Sequence, residues 1–133
     1  MAAPRALASD PGYRVLVVDD NADAAESLAA VVEMLGHLVE IAYDGPTAIE
    51  KARTHRPNVV LCDIGLPGMS GYEVAKALRA HDDHHMQIVA VSGYAQPEDV
   101  QRAVEAGFDR HLAKPVDLAE IERLLGSRGL SAR

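Results

Sequence analysis

Short apolar runs of strand-forming residues, most of them ending abruptly at a polar residue, constrain the fold of this chain more than any other feature. The run from Val15 to Val18 stops at two aspartates, and the run at 58–62 stops at a third. Uninterrupted runs of this length are typical of strands that are buried on both faces, as in parallel sheets. We predict five strands, at 15–18, 38–42, 58–62, 88–91 and 110–113.

Segments with a helical spacing of apolar residues separate these strands. Capping-box spacings mark helix starts at Ser70 and Asp117, and Gly107 is placed to end the fourth helix. Because connections between neighbouring parallel strands are right-handed, the alternation of strands and helices predicts an α/β fold. We expect a doubly wound (βα)5, flavodoxin-like sandwich whose five-stranded parallel sheet has the order 2-1-3-4-5.

Length and composition allow one such domain and little else. We expect the domain at 14–125, with a flexible N-terminal tail at 1–13 and a C-terminal tail at 126–133. The single cysteine, Cys62, excludes an internal disulfide framework. No apolar run approaches the roughly 18 residues of a membrane span. We therefore expect a cytoplasmic protein without membrane insertion.

The charge of the chain bears on its partners. There are 13 Lys and Arg residues against 20 Asp and Glu residues, and the net charge is −7. The sequence shows no basic cluster of the kind that nucleic-acid binders carry, so we expect no direct DNA binding. An acidic chain of this length is better suited to a protein, a metal ion or a small molecule.

Polar residues follow four of the strands: Asp19 and Asp20 the first, Asp63 the third, Ser92 the fourth and Lys114 the fifth. We expect them to share one crevice, because the carboxyl ends of parallel strands meet at one edge of the sheet. Three carboxylates and one ammonium leave a charge of −2, which a divalent cation would offset, and oxygen ligands favour Mg²⁺ or Mn²⁺ over zinc. Phosphoryl transfer requires such charge neutralisation and a positioned nucleophile, and Asp63 fits the latter role.

Four motifs at these strand ends closely resemble the receiver domain of two-component response regulators. They are Val-Leu-Val-Val-Asp-Asp-Asn at 15–21, Asp-Ile-Gly-Leu-Pro-Gly-Met-Ser-Gly at 63–71, Val-Ala-Val-Ser-Gly at 89–93 and Leu-Ala-Lys-Pro at 112–115. The resemblance covers about 14–125 and is strongest to receivers attached to hybrid histidine kinases.

The resemblance implies a function and a metal site. Asp63 would be the phosphoacceptor, taking a phosphoryl group from the phosphohistidine of a histidine kinase or a histidine phosphotransfer protein. Asp20, Asp63 and the backbone carbonyl of Gly65 would hold Mg²⁺, and Asp19 would act directly or through water. A receiver is not a conventional enzyme, although Mg²⁺-dependent self-phosphorylation and self-dephosphorylation are expected. The downstream protein partner would bind the face formed by helix 4, strand 5 and helix 5.

The resemblance also implies a switch, and here the sequence departs from the family. Ser92 would close on the phosphoryl oxygens, and Lys114 would pair with them before a cis Pro115. Members that switch by aromatic rotation carry Tyr or Phe three residues before the lysine, where this chain has His111. An imidazole can move similarly, so Ser92 and His111 are the candidate switch residues.

Two other functions stay open. An aspartyl-phosphate-type hydrolase would need an Asp-x-Asp motif on the first strand, whereas Asp19 and Asp20 are adjacent. A non-phosphorylated pseudo-receiver acting as a scaffold would not need Asp20, Asp63, Ser92 and Lys114, all of which are present.

Overall fold

A computed structural model describes residues 12–81, 86–93 and 96–126. Five strands alternate with five helices along this part of the chain, and a π-helical turn follows the last helix. The elements are β1 Arg14–Val18, α1 Ala22–Met34, β2 Leu38–Ala42, α2 Gly45–His55, β3 Val59–Asp63, α3 Gly71–Ala80, β4 Gln87–Ser92, α4 Pro97–Ala106, β5 Arg110–Ala113 and α5 Leu118–Ile121, with the turn at Glu122–Gly126. The predicted tails at 1–13 and 126–133 lie almost entirely outside the described residues. No helix in the described ranges is long and apolar enough to cross a membrane.

All strand pairings are parallel, and the sheet has the order β2-β1-β3-β4-β5. This order confirms the predicted doubly wound fold. The inner strands bury both of their faces, as their uninterrupted apolar runs predict. Leu16 and Val18 belong to a core cluster with residues of α2, α3 and α4, whereas Val15 and Val17 pack with residues of α1 and α5.

The helix starts form where the sequence predicts them. The Ser70 side chain accepts a hydrogen bond from the Glu73 N–H while the Glu73 carboxylate accepts one from the Ser70 N–H, and Asp117 and Glu120 form the same reciprocal pair. These bonds satisfy backbone donors that a helix leaves unpaired at its first turn. Gly107 caps the C-terminal end of the fourth helix with a φ of 112°, which only glycine readily adopts.

Two observations refine the sequence-based assignment. The third strand ends one residue later than predicted, because Asp63 still pairs with Val91 of β4. Val104 and Leu118 are 62% and 43% exposed, although they continue the helical spacing of apolar residues in α4 and α5. In α4 the buried residues are the small Ala103 and Ala106, which belong to the core cluster and leave Val104 outside it. These helices therefore present apolar side chains to solvent beside β5.

Candidate phosphoryl-transfer site

The carboxyl ends of four strands meet at one edge of the sheet, and the predicted site residues lie there. Asp19 follows β1, Asp63 ends β3, Ser92 ends β4 and Lys114 follows β5. The strand register accounts for this placement, because residues at equal depth pair across the sheet, as Asp63 does with Val91. The structure thus brings together the side chains that the sequence places at the strand ends.

Three carboxylates form an acidic cluster at this edge. Asp19, Asp20 and Asp63 each offer one oxygen atom, and these atoms lie within 4.8 Å of one another. The carboxylates differ in exposure, because Asp19 is buried and Asp20 is exposed, whereas the Asp63 side chain is 13% exposed. Such a set of oxygen ligands fits a hard divalent cation.

Lys114 bridges two of these carboxylates. Its Nζ atom lies 3.3 Å from Asp63 Oδ2 and 3.3 Å from Asp19 Oδ2. Burial lowers the pKa of the Lys114 ammonium, but the negative charges of Asp63 and Asp19 outweigh this effect and raise its pKa above the ordinary value. The following peptide bond, to Pro115, is cis, as expected.

Backbone N–H groups donate hydrogen bonds to the Oδ1 atoms of Asp19 and Asp63, whose Oδ2 atoms contact Lys114. The Gly65 N–H donates to Asp63 Oδ1 over 3.0 Å, and the Asn21 N–H donates to Asp19 Oδ1 over 3.0 Å. Each carboxylate is thereby fixed from two sides, by a backbone donor and by Lys114. Gly65, whose carbonyl is a predicted metal ligand, lies in the exposed turn after β3.

Helix α3, which follows this turn, begins in close contact with the backbone of the site, and its sequence did not predict this approach. A Cβ atom at Gly71 would lie 2.6 Å from the Asp63 carbonyl oxygen and 2.6 Å from the Ile64 Cα atom. Only glycine therefore allows α3 to begin against the backbone of the phosphoacceptor candidate. The available signal was a glycine at the first position of a helix, where a better helix former is expected.

The two candidate switch residues contact each other. The Ser92 hydroxyl is buried, and its Oγ atom lies 3.3 Å from Nε2 of the half-buried His111 ring. The backbone of Ser92 is fixed independently, because its carbonyl accepts a hydrogen bond from the Lys114 N–H over 2.8 Å. Both contacts tie Ser92 to β5 and to Lys114, the residue that follows it.

Cys62 precedes Asp63 but faces the core. Burial, reinforced by the negative charges of Asp63 and Asp19, raises the pKa of the Cys62 thiol to about 12. A buried thiol with this pKa remains protonated and unreactive near neutral pH.

Residues 15–125 match the family model described as the response regulator receiver domain. The chain belongs to this family. It is a response regulator receiver domain of two-component signalling, and the predicted resemblance is confirmed. Receiver domains generally are not conventional enzymes, and they bind Mg²⁺ at an acidic pocket such as the one formed here by three aspartates.

Two curated mycobacterial relatives extend beyond this receiver domain. The present chain is 37% identical over 123 residues to the transcriptional regulatory protein PrrA of Mycobacterium tuberculosis. The match covers 90% of this chain and 52% of PrrA. The chain is 38% identical over 108 residues to the DNA-binding response regulator MtrA of the same species, covering 81% of this chain and 46% of MtrA. The chain therefore spans about half the length of the curated relatives it matches.

The relationship to MtrA corrects one prediction. The expectation of no direct DNA binding is wrong, because it excluded a class of protein to which this receiver domain is demonstrably related. The physical reason is that net charge describes only the segment in which it is counted. An acidic receiver is compatible with a DNA-binding response regulator, so the deficit of Lys and Arg carried no information on this point.

A solved structure shows the same fold with a metal ion. The receiver domain of sensor histidine kinase PA1611 from Pseudomonas aeruginosa, with a magnesium ion coordinated in its active-site cleft, superposes with a TM-score of 0.79 at 31% identity. The match covers 87% of this chain and 96% of that domain. This relative is itself a kinase-associated receiver, whereas the attachment of the present domain to a hybrid kinase stays a prediction.

Proposed function

We propose that this receiver domain accepts a phosphoryl group on Asp63, from the phosphohistidine of a histidine kinase or histidine phosphotransfer protein. The observation that carries the proposal is the double fixation of Asp63, by the Gly65 N–H at Oδ1 and by Lys114 at Oδ2. A nucleophile held in one orientation beside a cation has the positioning and the charge neutralisation that phosphoryl transfer requires.

The position of Asp63 favours it over the other two aspartates. It lies on the central strand β3, between β1 with its acidic pair and β4 with the Ser92 hydroxyl. A phosphoryl group on Asp63 would therefore lie between the proposed metal ligands Asp19 and Asp20 on one side and the Ser92 hydroxyl on the other. Asp19 is more deeply buried, and Asp20 is exposed and has no fixing hydrogen bond among the described residues.

Lys114 supports the transfer as a permanent cation. Its raised pKa keeps the ammonium charged throughout the neutral range, so that it can pair with a phosphoryl oxygen without first taking up a proton. Ser92 supplies a buried hydroxyl at the end of the neighbouring strand, and we assign it to the same phosphoryl oxygens.

The acidic cluster fits a metal of the magnesium type. The crevice holds three carboxylates and one ammonium, a charge of −2, and its ligand atoms are oxygens. We assign Mg²⁺ to Asp19, Asp20, Asp63 and the Gly65 carbonyl, and Mn²⁺ fits the same ligands. When bound, the metal ion supplies charge neutralisation for the incoming phosphoryl oxygens.

Two surfaces beside the site suit protein partners. A cavity of about 470 Å³ between α1 and α5 opens next to Asp19 and Lys114, and Leu28 and Val116 are among its apolar lining residues. We assign this cavity to the phosphohistidine donor because it is lined by Lys114, whose ammonium contacts Asp63. We assign the downstream partner to the face of α4, β5 and α5, where Val104 is exposed together with Val100 and Leu118.

Three further assignments belong to this proposal. The domain comprises 14–125 between the tails at 1–13 and 126–133, and it is located in the cytoplasm, where a free, buried Cys62 is expected. It performs its own Mg²⁺-dependent phosphorylation and dephosphorylation without turning over an external substrate. An aspartyl-phosphate-type hydrolase and a non-phosphorylated scaffold are the alternative functions, and the uptake experiment described next must exclude them.

The experiment is phosphoryl uptake from acetyl phosphate, followed by intact mass. The parent should gain the mass of one phosphoryl group with Mg²⁺ and not with a chelator, and Asp63→Asn should gain none. Asp23→Asn removes an exposed aspartate in the first turn of α1 and should behave as the parent. Sustained phosphate release from varied phosphate esters would indicate a hydrolase, whereas no uptake by the folded parent would indicate a pseudo-receiver.

A further inference from the structure

The contact between Ser92 and His111 has a chemical consequence for the proposed site. Ser92 Oγ and His111 Nε2 form a hydrogen bond 3.3 Å long, in which one of the two groups donates its proton to the other. A neutral imidazole carries its proton on one ring nitrogen only, so Nε2 is either an acceptor or a donor. The direction of this hydrogen bond therefore depends on the tautomer of His111.

Each tautomer gives the Ser92 hydroxyl a different task. With the ring proton on Nδ1, Nε2 accepts, and Ser92 must direct its single proton towards the ring. With the ring proton on Nε2, the ring donates to Oγ, and the hydroxyl no longer has to donate to the ring. A phosphoryl group on Asp63 would offer the hydroxyl strong acceptor oxygens.

We propose that His111 is a positioning residue whose change of tautomer sets the direction in which the Ser92 hydroxyl donates its proton. In the resting protein Nε2 accepts the hydroxyl proton, and in the phosphorylated protein Nε2–H donates to Oγ while the hydroxyl donates to the phosphoryl oxygen. The ring loses a proton from Nδ1 and gains one at Nε2 by exchange with water, so that its charge is unchanged. This inference rests on the proposed phosphorylation of Asp63.

The surroundings favour a movement of the proton over a movement of the chain. The Ser92 carbonyl is held by the Lys114 N–H, and Val91 accepts a hydrogen bond from the Ile64 N–H, so the end of β4 is tied to both neighbouring connections. No described residue hydrogen-bonds His111 Nδ1, so this nitrogen can give up or take a proton without breaking a contact within the described part of the chain. Burial of Ser92 limits competition from water.

The test is the protonation of the His111 ring, measured by long-range ¹H–¹⁵N NMR on protein labelled at histidine. Spectra are recorded at mildly alkaline pH, where free imidazole is neutral, with Mg²⁺ and with or without beryllium fluoride as the phosphoryl analogue. His111→Gln identifies the signal. We expect the Nε2 resonance to move from the position of an unprotonated acceptor to that of a protonated nitrogen when the analogue binds.

The controls separate this inference from the proposed function. Binding is followed independently through the backbone amide signals of the turn at Gly65. Analogue binding with an unchanged His111 tautomer would overturn the inference and leave the proposed function intact, whereas no binding to the parent would overturn both. In Ser92→Ala, at analogue concentrations at which the amide signals of the Gly65 turn show binding, the His111 ring should no longer respond. A tautomer change in that variant would show that the hydroxyl does not carry the coupling.

Discussion

Removal of one carboxylate from the acidic cluster should stabilise the metal-free protein. Asp20 is the suitable residue, because it is exposed and makes no hydrogen bond or ion pair with the described residues. Its carboxylate lies near two like charges, Asp19 and Asp63, and both of these contact the opposite charge of Lys114. The attraction to Lys114 offsets about one of the two repulsions, so Asp20→Asn removes the repulsion of about one like-charge pair. The substitution leaves the side-chain size unchanged.

The separation sets the size of this effect. At the outer limit of 4.8 Å, one like-charge pair costs about 0.9 kcal/mol in bulk water and about 3.5 kcal/mol at an effective dielectric constant of about 20. The lower value applies because Asp20 is exposed, and because Asp19 remains its neighbour in the unfolded chain. We expect a gain of about 1 kcal/mol in the free energy of unfolding, which corresponds to about 4 °C in Tm.

Urea unfolding in a chelator and in millimolar Mg²⁺ provides the assay. The gain of Asp20→Asn should be largest in the chelator at low salt, and it should shrink with added NaCl because salt screens the repulsion. It should also shrink with Mg²⁺, which stabilises the parent by binding its folded state. Glu26→Gln is the matched control, because it removes one exposed charge from the middle of α1 and keeps an acceptor for Tyr43.

Two results would refute this reasoning. One is an Asp20→Asn variant that is no more stable than the parent in the chelator at low salt. The other is a gain as large in Glu26→Gln, since that would attribute the effect to net charge instead of the cluster.

Three further predictions follow from the site. Gly71→Ala should destabilise the fold by about 1–3 kcal/mol, because the added methyl group would overpack against the backbone of Asp63 and Ile64. Urea unfolding measures this loss, and an unchanged unfolding midpoint would contradict the close approach of α3. Cys62 should react with a thiol reagent only when the protein unfolds. At pH about 8, a thiol pKa of about 12 leaves about one thiol in 10⁴ ionised in the folded protein. Rapid labelling of the native protein would contradict this prediction. Because the pKa of Lys114 is raised, its stabilising contribution should be fully present below the ordinary lysine pKa of 10.5 and lost as the pH rises through the higher folded value. The stability difference between the metal-free parent and Lys114→Met should therefore be constant from neutral pH to about 10 and decline above it, and a decline already near neutral pH would contradict the assignment.

The sequence predicted the convergence of Asp63 and Lys114 for a reason that depends on topology alone. In a parallel sheet, the residue that ends a strand lies at the same edge wherever that strand is in the chain. The boundaries of β2 and β5, and the two capping boxes, follow in the same way from local patterns. These features need no knowledge of how side chains pack.

The remaining features depend on contacts that local patterns do not contain. The Ser92–His111 pair forms between neighbouring strands and needs both the register and the rotamers, since His111 pairs with Ala90 in the ladder and not with Ser92. The glycine requirement at Gly71 comes from the path of the preceding turn. The exposure of Val104 reflects how much of α4 the sheet can cover, which an apolar spacing does not specify.

The central claim is that Asp63 carries the phosphoryl group, and the position of that group can be read directly. The phosphorylated protein is treated with borohydride, which reduces an aspartyl phosphate to homoserine, and its peptides are sequenced by mass spectrometry. The account predicts homoserine at position 63 alone, and only in samples that contained Mg²⁺. Homoserine at position 19 or 20, or a phosphoryl group retained on Ser92 or His111, would contradict it.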